Sequence, residues 1–359
     1  MLPRFFFVIF CLFEIVGIGL LNSGASATVQ ASQETRSQTE VILQLNADAL
    51  PAGKYSYNFL AGYQSNGKPL YVPVVVIKGP EAGQRMLLTA AVHGDELNGI
   101  AVINALVKEL GPEKLRGTII AVPGLNQTGL VGNSRYYLRS EGGGSQRDLN
   151  RLFPGTLTEG GAASRYAGNL WHNLLKGNAD IAVDLHTQST GSDYPLFVFA
   201  DFRNRKIAAM ATALMPDMIK RDSGQKGSLE TSFVTASIPA VTFEIGGAKR
   251  LQQALIDRAV MGIKNLMVAE GMLAGTVIKP LAAPYVGSSF ANIYAEEGGT
   301  ALMKVSLREA VKKGDLLAIM LDRFGVEKRR YFAPRDGRVV SVTTDPLKES
   351  GAMLVRLLY

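Results

Sequence analysis

The turn that follows residue 92 constrains the fold more than any other part of this sequence. Residues 86–92 form an apolar run of strand character that stops at His93. Gly94 permits a sharp corner, and an apolar-periodic helix begins near Glu96. An imidazole and a carboxylate on such a turn can face one point in space and suit Zn²⁺, which in catalytic sites leaves a position for water. Taken alone, the pair could equally be a turn histidine and an acid that stabilises a helix N-terminus.

Apolar segments of strand character alternate with helical segments along most of the chain. The predicted strands are residues 72–78, 86–92, 118–122, 180–186, 196–200 and 239–245, and the predicted helices are residues 97–110, 164–175, 204–214 and 251–273. Because these strands are apolar without alternation, they indicate an α/β fold with a mostly parallel or mixed sheet covered by helices. We assign residues 48–277 to this catalytic domain.

Beyond residue 277 the sequence predicts only short β-prone runs with glycine-based turns. Residues 311–319 and 333–340 resemble the half-repeats of a biotinyl- or lipoyl-like β sandwich. The hairpin between them, residues 321–327, has no lysine at its tip, so we do not expect a swinging-arm carrier. Residues 278–359 are therefore predicted to be an all-β sandwich domain with a structural or gating role.

The first 27 residues have the pattern of an export signal. Arg4 supplies the positive end, residues 5–21 the apolar run, and Ala25-Ser26-Ala27 an A-x-A cleavage site. Residues 28–47 are polar and are predicted to be a flexible lead-in. We expect a periplasmic or secreted protein without a stable membrane anchor, and a retained apolar anchor is the alternative.

A third metal ligand is expected among the three histidines His93, His172 and His186. His186 closes a predicted strand, and sites in open α/β sheets gather at the carboxyl ends of strands. His172 lies in a predicted helix, where a surface or packing role is simpler. Asp184 either points to the opposite side of its strand end or contacts His186 and holds it in one tautomer.

Two further segments carry groups that suit substrate binding and catalysis. Asn150 and Arg151 follow a Gly-rich loop and offer an amide and a bidentate guanidinium, which can bind a carboxylate. The alternative for this pair is a turn with a solvated arginine. Glu244 lies inside an apolar strand, where an unpaired carboxylate would be costly. Beside a metal-bound water it would serve as a general base.

The motifs form an ordered set: His93-Gly-Asp-Glu96, Ser134-Arg-Tyr, Arg147-Asp-Leu-Asn-Arg-Leu-Phe-Pro-Gly, Asp184-Leu-His-Thr and Thr242-Phe-Glu-Ile-Gly-Gly. Together they resemble the succinylglutamate desuccinylase/aspartoacylase family of the zinc carboxypeptidase superfamily, from about residue 71 to the C-terminus. The resemblance implies that one zinc ion binds His93, Glu96 and His186. It also implies that Glu244 is the general base toward a metal-bound water. Asn150 and Arg151 would bind a substrate carboxylate.

The resemblance also implies an arginine that stabilises the oxyanion. We assign this role to Arg135. Members of the family usually run from Ser-Arg-Tyr almost directly into Asp-Leu-Asn-Arg, whereas this chain inserts residues 137–145. Arg139 and Arg147 are therefore alternatives.

The expected function is zinc-dependent hydrolysis of an amide bond next to a carboxylate, as in N-acyl amino acid deacylases. The expected substrate is a small acyl amino acid or a peptide with a free carboxylate. An exported carboxypeptidase or amidase that acts on peptidoglycan peptides is the first alternative, and a catalytically inactive binding protein is the second. The net charge of +7 is spread along the chain, so a nucleic-acid partner is not expected.

Overall fold

The computed structural model of the protein describes residues 39–140, 146–280 and 282–359. The predicted signal peptide lies outside the described residues, as do residues 28–38 of the predicted lead-in. In the part of the chain that is described, no helix has the length and apolar character needed to cross a membrane.

Strands and short helices alternate along the chain. The strands are β1 (Glu40–Ile42), β2 (Gly53–Tyr63), β3 (Pro69–Lys78), β4 (Glu81–Ala90), β5 (Arg116–Val122), β6 (Tyr137–Leu138), β7 (Gln146–Arg147), β8 (Ile181–Gln188), β9 (Ser192–Asp193), β10 (Leu196–Ala200), β11 (Met218–Arg221), β12 (Ala240–Gly247), β13 (Tyr285–Gly287), β14 (Phe290–Tyr294), β15 (Gly299–Met303), β16 (Ala310–Val311), β17 (Leu316–Leu321), β18 (Glu327–Phe332), β19 (Gly337–Thr343), β20 (Leu347–Lys348) and β21 (Met353–Leu358). The α-helices are α1 (Asn98–Glu109), α2 (Gln127–Val131), α3 (Ala162–Leu170), α4 (Arg205–Ala213), α5 (Leu229–Thr235) and α6 (Gln253–Ala269).

A ten-stranded mixed sheet forms the centre of the fold, in the order β1-β2-β3-β5-β4-β8-β12-β10-β11-β13. The four strands β5, β4, β8 and β12 run parallel to one another. β3 runs antiparallel to β2 and β5, and β10 runs antiparallel to β12. The predicted mostly parallel or mixed sheet is confirmed.

Helices cover both faces of this sheet, which explains why its strands are apolar without alternation. One core cluster joins Met86 and Leu88 of β4 to buried residues of α1, α4 and α6. A second cluster joins Leu87, the residue between them, to buried residues of α3 and α5. Successive residues of a central strand therefore enter two different cores.

Most predicted elements agree with the observed ones to within a few residues, and the larger differences are at the start of β4, which begins five residues earlier than predicted, and at the end of α6. The predicted helix 251–273 ends at Ala269, because Gly271 adopts a left-handed conformation with φ 67°. The predicted helix 164–175 is α-helical to Leu170 and continues as a π-helical turn, Trp171–Leu175. The strands β1, β2, β6, β7, β9 and β11 and the helices α2 and α5 were not predicted. The strand β1 lies within the predicted flexible lead-in and pairs with β2, so residues 40–42 of that segment are part of the sheet.

The C-terminal strands form the predicted all-β sandwich. One sheet has the order β14-β21-β19-β16, and the other has the order β18-β17-β15-β20. Buried apolar residues of both sheets, including Leu317 and Leu354, belong to one cluster. The sandwich is joined to the rest of the chain, because β9 pairs with β19 and the adjacent strand β13 pairs with β11. Residues 39–359 form one compact unit, and a domain boundary at residue 277 stays a prediction.

Candidate active site

A strained turn at the end of β4 positions the first two predicted ligands. Ala91 adopts a left-handed conformation with φ 54°, which is costly for a residue with a side chain. The backbone N–H of Asn126 donates to the carbonyl of Ala91 over 2.9 Å and holds this conformation. A Cβ at Gly94 would collide with the backbone of α2, so only glycine fits there. The turn leaves His93 and Glu96 facing the same point.

His93, Glu96 and His186 converge at the carboxyl ends of two neighbouring parallel strands, β4 and β8. Nδ1 of His93 lies 2.8 Å from Oε1 of Glu96, and Nδ1 of His186 lies 2.9 Å from Oε2 of the same carboxylate. One ligand atom from each residue lies within 4.8 Å of the others, and all three side chains are buried. These residues could hold a metal ion.

The remaining ring nitrogens of both histidines face carboxylates. Nε2 of His93 lies 3.1 Å from Oδ1 of Asp148, and Nε2 of His186 lies 2.8 Å from Oδ2 of Asp184. Such contacts fix the tautomer and the orientation of a metal-binding imidazole. Of the two roles considered for Asp184, the structure shows contact with His186. Two imidazoles that are oriented in this way, together with the carboxylate of Glu96, form a donor set that fits Zn²⁺.

The cluster has strongly perturbed pKa values. Burial alone would raise the pKa of Glu96, but the neighbouring His93 and His186 hold it well below its usual range. Burial alone would lower the pKa of His186, but Asp184 and Glu96 raise it well above its usual range. In the absence of a metal ion, the cluster therefore favours an ionised carboxylate beside a protonated imidazole.

Glu244 lies beside this cluster on β12, in register with His186 of β8. Its side chain is buried and lines the same cavity as the three candidate ligands. Oε2 of Glu244 has no hydrogen-bond partner among the described residues. Burial raises the pKa of Glu244 to about 8, although His186 opposes the shift. A buried, unpartnered carboxylate next to a metal-binding cluster is the arrangement expected of a general base.

Among the three candidate arginines, the structure brings Arg135 to the site. Nη1 of Arg135 donates to Oε1 of Glu96 over 3.0 Å and to Oγ of Ser189 over 3.2 Å. Arg139 lines a different cavity, next to Tyr63, and Arg147 is exposed on β7. The position of Arg135 is compatible with an oxyanion-stabilising role.

Asn150 and Arg151 line the same cavity as the candidate ligands. Asp148, at the start of this turn, accepts a hydrogen bond from the backbone N–H of Asn150 over 2.9 Å. Oδ1 of Asn150 accepts from the backbone N–H of Leu229 over 2.7 Å, which leaves Nδ2 to donate to a ligand. Arg151 donates Nη1 to the carbonyl of Asn150 over 2.7 Å. Arg151 lines the cavity but is exposed, so both the role in binding a carboxylate and the alternative of a solvated arginine stay predictions.

The cavity has a volume of about 440 Å³ and includes residues that the sequence did not indicate. These residues are Gln188, Ser189, Tyr194, Phe199, Asp222, Gly224, Gln225, Ser228, Glu230, Phe290 and Arg356. Thr187 and Thr242, which belong to two of the motifs, also line the cavity. Phe290 and Arg356 belong to the C-terminal sandwich, and Nη1 of Arg356 donates to Oη of Tyr194 over 2.7 Å. His172 is exposed on the turn after α3 and does not line the cavity.

Residues 82–269 match the model of the succinylglutamate desuccinylase/aspartoacylase catalytic domain. The chain belongs to the succinylglutamate desuccinylase/aspartoacylase family. The motifs of the active site all lie inside the matched segment. Membership identifies the protein as a hydrolase of an N-acyl amino acid deacylase family.

Two relatives are similar in sequence to this chain. The N-alpha-acetyl-L-2,4-diaminobutyric acid deacetylase of Halomonas elongata is 26% identical over 320 residues, which cover 86% of this chain and 91% of the relative. The succinylglutamate desuccinylase of Shewanella frigidimarina is 25% identical over 171 residues, which cover 44% of this chain and 46% of the relative.

Solved structures have folds similar to that of this chain. The product-bound ectoine utilization protein EutE (DoeB) of Ruegeria pomeroyi superposes with a TM-score of 0.75 at 26% identity and covers 86% of this chain and 97% of its own. A desuccinylase/aspartoacylase protein of Rhodobacter sphaeroides superposes with a TM-score of 0.74 at 23% identity and covers 88% of this chain and 98% of its own, which supports the fold alone.

Proposed function

We propose that this protein is an exported, zinc-dependent hydrolase that removes the acyl group from an N-acyl amino acid with a free carboxylate. Membership in the family supports the reaction class, and the convergence of His93, Glu96 and His186 supports the metal. The observation that carries the proposal is the buried, unpartnered Oε2 of Glu244 beside that cluster. The export motif in residues 1–27 supports a periplasmic or secreted location.

In the proposed reaction, His93, Glu96 and His186 would hold the zinc ion. Bound there, Zn²⁺ would supply Lewis acidity toward water and toward the acyl carbonyl. Oε2 of Glu244 would accept a proton from the attacking water while the water oxygen bonds to the acyl carbon. Glu244 would then return this proton to the amine nitrogen as the carbon–nitrogen bond breaks, which yields a carboxylic acid and a free amine.

Two arginines would orient the substrate and stabilise charge. Arg135 would donate to the acyl oxygen as negative charge develops there, a contribution of about 3 kcal/mol for a well-placed donor. Arg151 and Nδ2 of Asn150 would bind the carboxylate next to the scissile amide. In the absence of substrate, contacts with Glu96 and Ser189 hold the guanidinium of Arg135 in place.

Glu244→Gln tests this assignment. The variant should bind zinc at the wild-type stoichiometry, measured by elemental analysis, and should lose hydrolysis of N-acyl amino acids. Glu81→Gln is a matched control, because Glu81 is exposed at the start of β4. Wild-type turnover of the Glu244→Gln variant would exclude Glu244 as the base.

A substrate panel and a fractionation experiment test the remaining parts of the proposal. N-acyl amino acids should be hydrolysed, and short peptidoglycan peptides should not. Hydrolysis of the peptides alone would instead favour the exported peptidase, and zinc binding without any turnover would favour a binding protein. The full-length chain should be recovered outside the cytoplasm after signal removal, and a chain without residues 1–27 should remain inside.

A further inference from the structure

Some charged side chains of the cavity contact a group of opposite charge, and others have no such contact among the described residues. Arg135 contacts Glu96, and Asp222 forms an ion pair with Nζ of Lys220 over 2.9 Å. Glu230 differs, because its charged neighbours are the acids Asp222, Asp184 and Asp201. Within residues 39–140, 146–280 and 282–359, no lysine, arginine or histidine pairs with Glu230.

Glu230 has the burial and geometry of a ligand-binding group. Its side chain is only 7% exposed, and it lines the cavity that contains Glu244. Oε2 of Glu230 accepts a hydrogen bond from Oγ1 of Thr231 over 2.9 Å. Oε1 has no partner among the described side chains or backbone groups. Burial, reinforced by the neighbouring acids, raises the pKa of Glu230 to about 7, and a bound cation would favour its ionised form.

The cavity connects Glu230 to the reacting end of the site along one face of the sheet. Thr242 and Glu244 point to the same face of β12, about 7 Å apart at roughly 3.3 Å per residue. Phe199 of β10 is in register with Thr242 and also lines the cavity. The helix α5, which carries Glu230, packs against β8 and β12. Glu230, Thr242, Phe199 and the general base Glu244 therefore line one cavity, and α5 carries Glu230 against the strands that form its floor.

The proposed carboxylate-binding pair lies next to Glu230. The backbone N–H of Leu229, the residue before Glu230, donates to Oδ1 of Asn150. The backbone N–H of Phe153 donates over 3.0 Å to the carbonyl of Gly227, so the turn that carries Arg151 and the turn that leads into α5 are joined. Arg151 forms no ion pair with a described acid. One cavity thus contains the guanidinium of Arg151 and the carboxylate of Glu230, neither of which forms an ion pair with a described residue.

We propose that Glu230 determines specificity by binding an ammonium group on the amine half of the substrate, so that the protein selects N-acyl amino acids with a basic side chain. This inference rests on the proposed function, because it assumes that the amine half occupies this cavity. The α-carboxylate would bind Arg151, and the side-chain ammonium would donate to Oε1 of Glu230. A charge-assisted hydrogen bond of this kind favours a cationic side chain over a neutral one of the same length.

Kinetics with matched substrates test the proposal. Nα-acetylornithine carries an ammonium, Nα-acetylnorleucine is a neutral analogue of similar length, and Nα-acetylglutamate is acidic. Wild-type kcat/KM should be roughly 10- to 100-fold higher for the cationic substrate than for the neutral one. Glu230→Gln should reduce this ratio to near one, mainly by raising KM for the cationic substrate. Equal wild-type hydrolysis of the three substrates would overturn the proposal and leave the proposed function intact.

Two controls separate specificity from folding. Glu230→Asp keeps the charge and should retain a preference for the cationic substrate, although a smaller one. Glu81→Gln should retain the full wild-type ratio. A Glu230→Gln variant that loses activity toward all three substrates equally, with an unchanged melting temperature, would contradict a role in selecting the side chain.

A binding measurement keeps the proposal testable without turnover. Calorimetry of the zinc-loaded protein should give tighter binding of free ornithine than of norleucine, and Glu230→Gln should remove the difference. If no N-acyl compound is hydrolysed, the proposed function fails, but this comparison still decides the subsite. Equal binding of the two amino acids to the wild-type protein would refute the subsite.

Discussion

Replacing Glu244 with glutamine should stabilise the metal-free protein, and the gain should depend on pH. Burial raises the pKa of Glu244 from 4.5 to about 8. Each unit of difference between the folded and unfolded pKa corresponds to about 1.4 kcal/mol of stability. At high pH the raised pKa of Glu244 therefore lowers the free energy of unfolding by roughly 5 kcal/mol. Because a glutamine side chain cannot ionise, the variant should escape this loss.

The direction of the pH dependence follows from whether Glu244 carries a proton in the folded and in the unfolded chain. Below pH 4.5 the carboxyl group is protonated in both states and contributes no difference. Between pH 4.5 and about 8 the unfolded chain ionises while the folded chain retains its proton, so wild-type stability falls as the pH rises. The advantage of the variant should therefore be small near pH 5 and complete above about pH 8.

Thermal unfolding of chelator-treated protein at several pH values measures this effect. With an unfolding entropy of about 2.1 cal/mol/K per residue, a gain of roughly 5 kcal/mol raises the melting temperature of a chain of this size by about 7 °C. Zinc should reduce the gain, because a nearby dication favours the ionised carboxylate of Glu244. Glu81→Gln should show no gain at any pH. An equal gain for Glu244→Gln at pH 5 and pH 9 would refute the reasoning.

Three further predictions concern the metal and the oxyanion. Asp184→Asn should weaken zinc binding by roughly 10- to 100-fold, because Asp184 orients His186, and competition with a chelator measures the loss. Zinc affinity should fall as the pH decreases below the raised pKa of His186, because a proton competes for the ligand nitrogen. Calorimetry at several pH values should show that zinc binding releases protons. Arg135→Ala should lower kcat by roughly 100- to 1,000-fold with little change in KM, measured by steady-state kinetics, whereas an unchanged kcat would favour another oxyanion donor.

Local sequence patterns predicted most of the sheet and its helices. The strands β4, β8 and β12 are apolar because both of their faces are buried, and this pattern is visible without knowledge of their neighbours. The strand β2 was missed, because half of its residues face away from the core and its apolar signal is weak. The helix α5 was missed because it is only seven residues long.

The candidate site was only partly visible in the sequence. Its motifs singled out Glu244 and the three candidate ligands, because each occurs where a strand ends or inside an apolar strand. Arg135 was assigned to the oxyanion from the family motif, but Arg139 and Arg147 follow it within twelve residues and remained alternatives. The structure shows that Arg135 lines the cavity, whereas Arg139 lines a different one.

The sequence by itself determined the type of fold and the reactive groups, because hydrophobic period and residue chemistry are local properties. Tertiary structure decided which groups share a cavity. Glu230 and Arg356 lie more than a hundred residues apart, and neither belongs to a recognisable motif. Whether a charge is compensated depends on side chains brought near it by strand order and helix packing. The uncompensated carboxylate of Glu230, and the specificity that it implies, could therefore be found only in the folded chain.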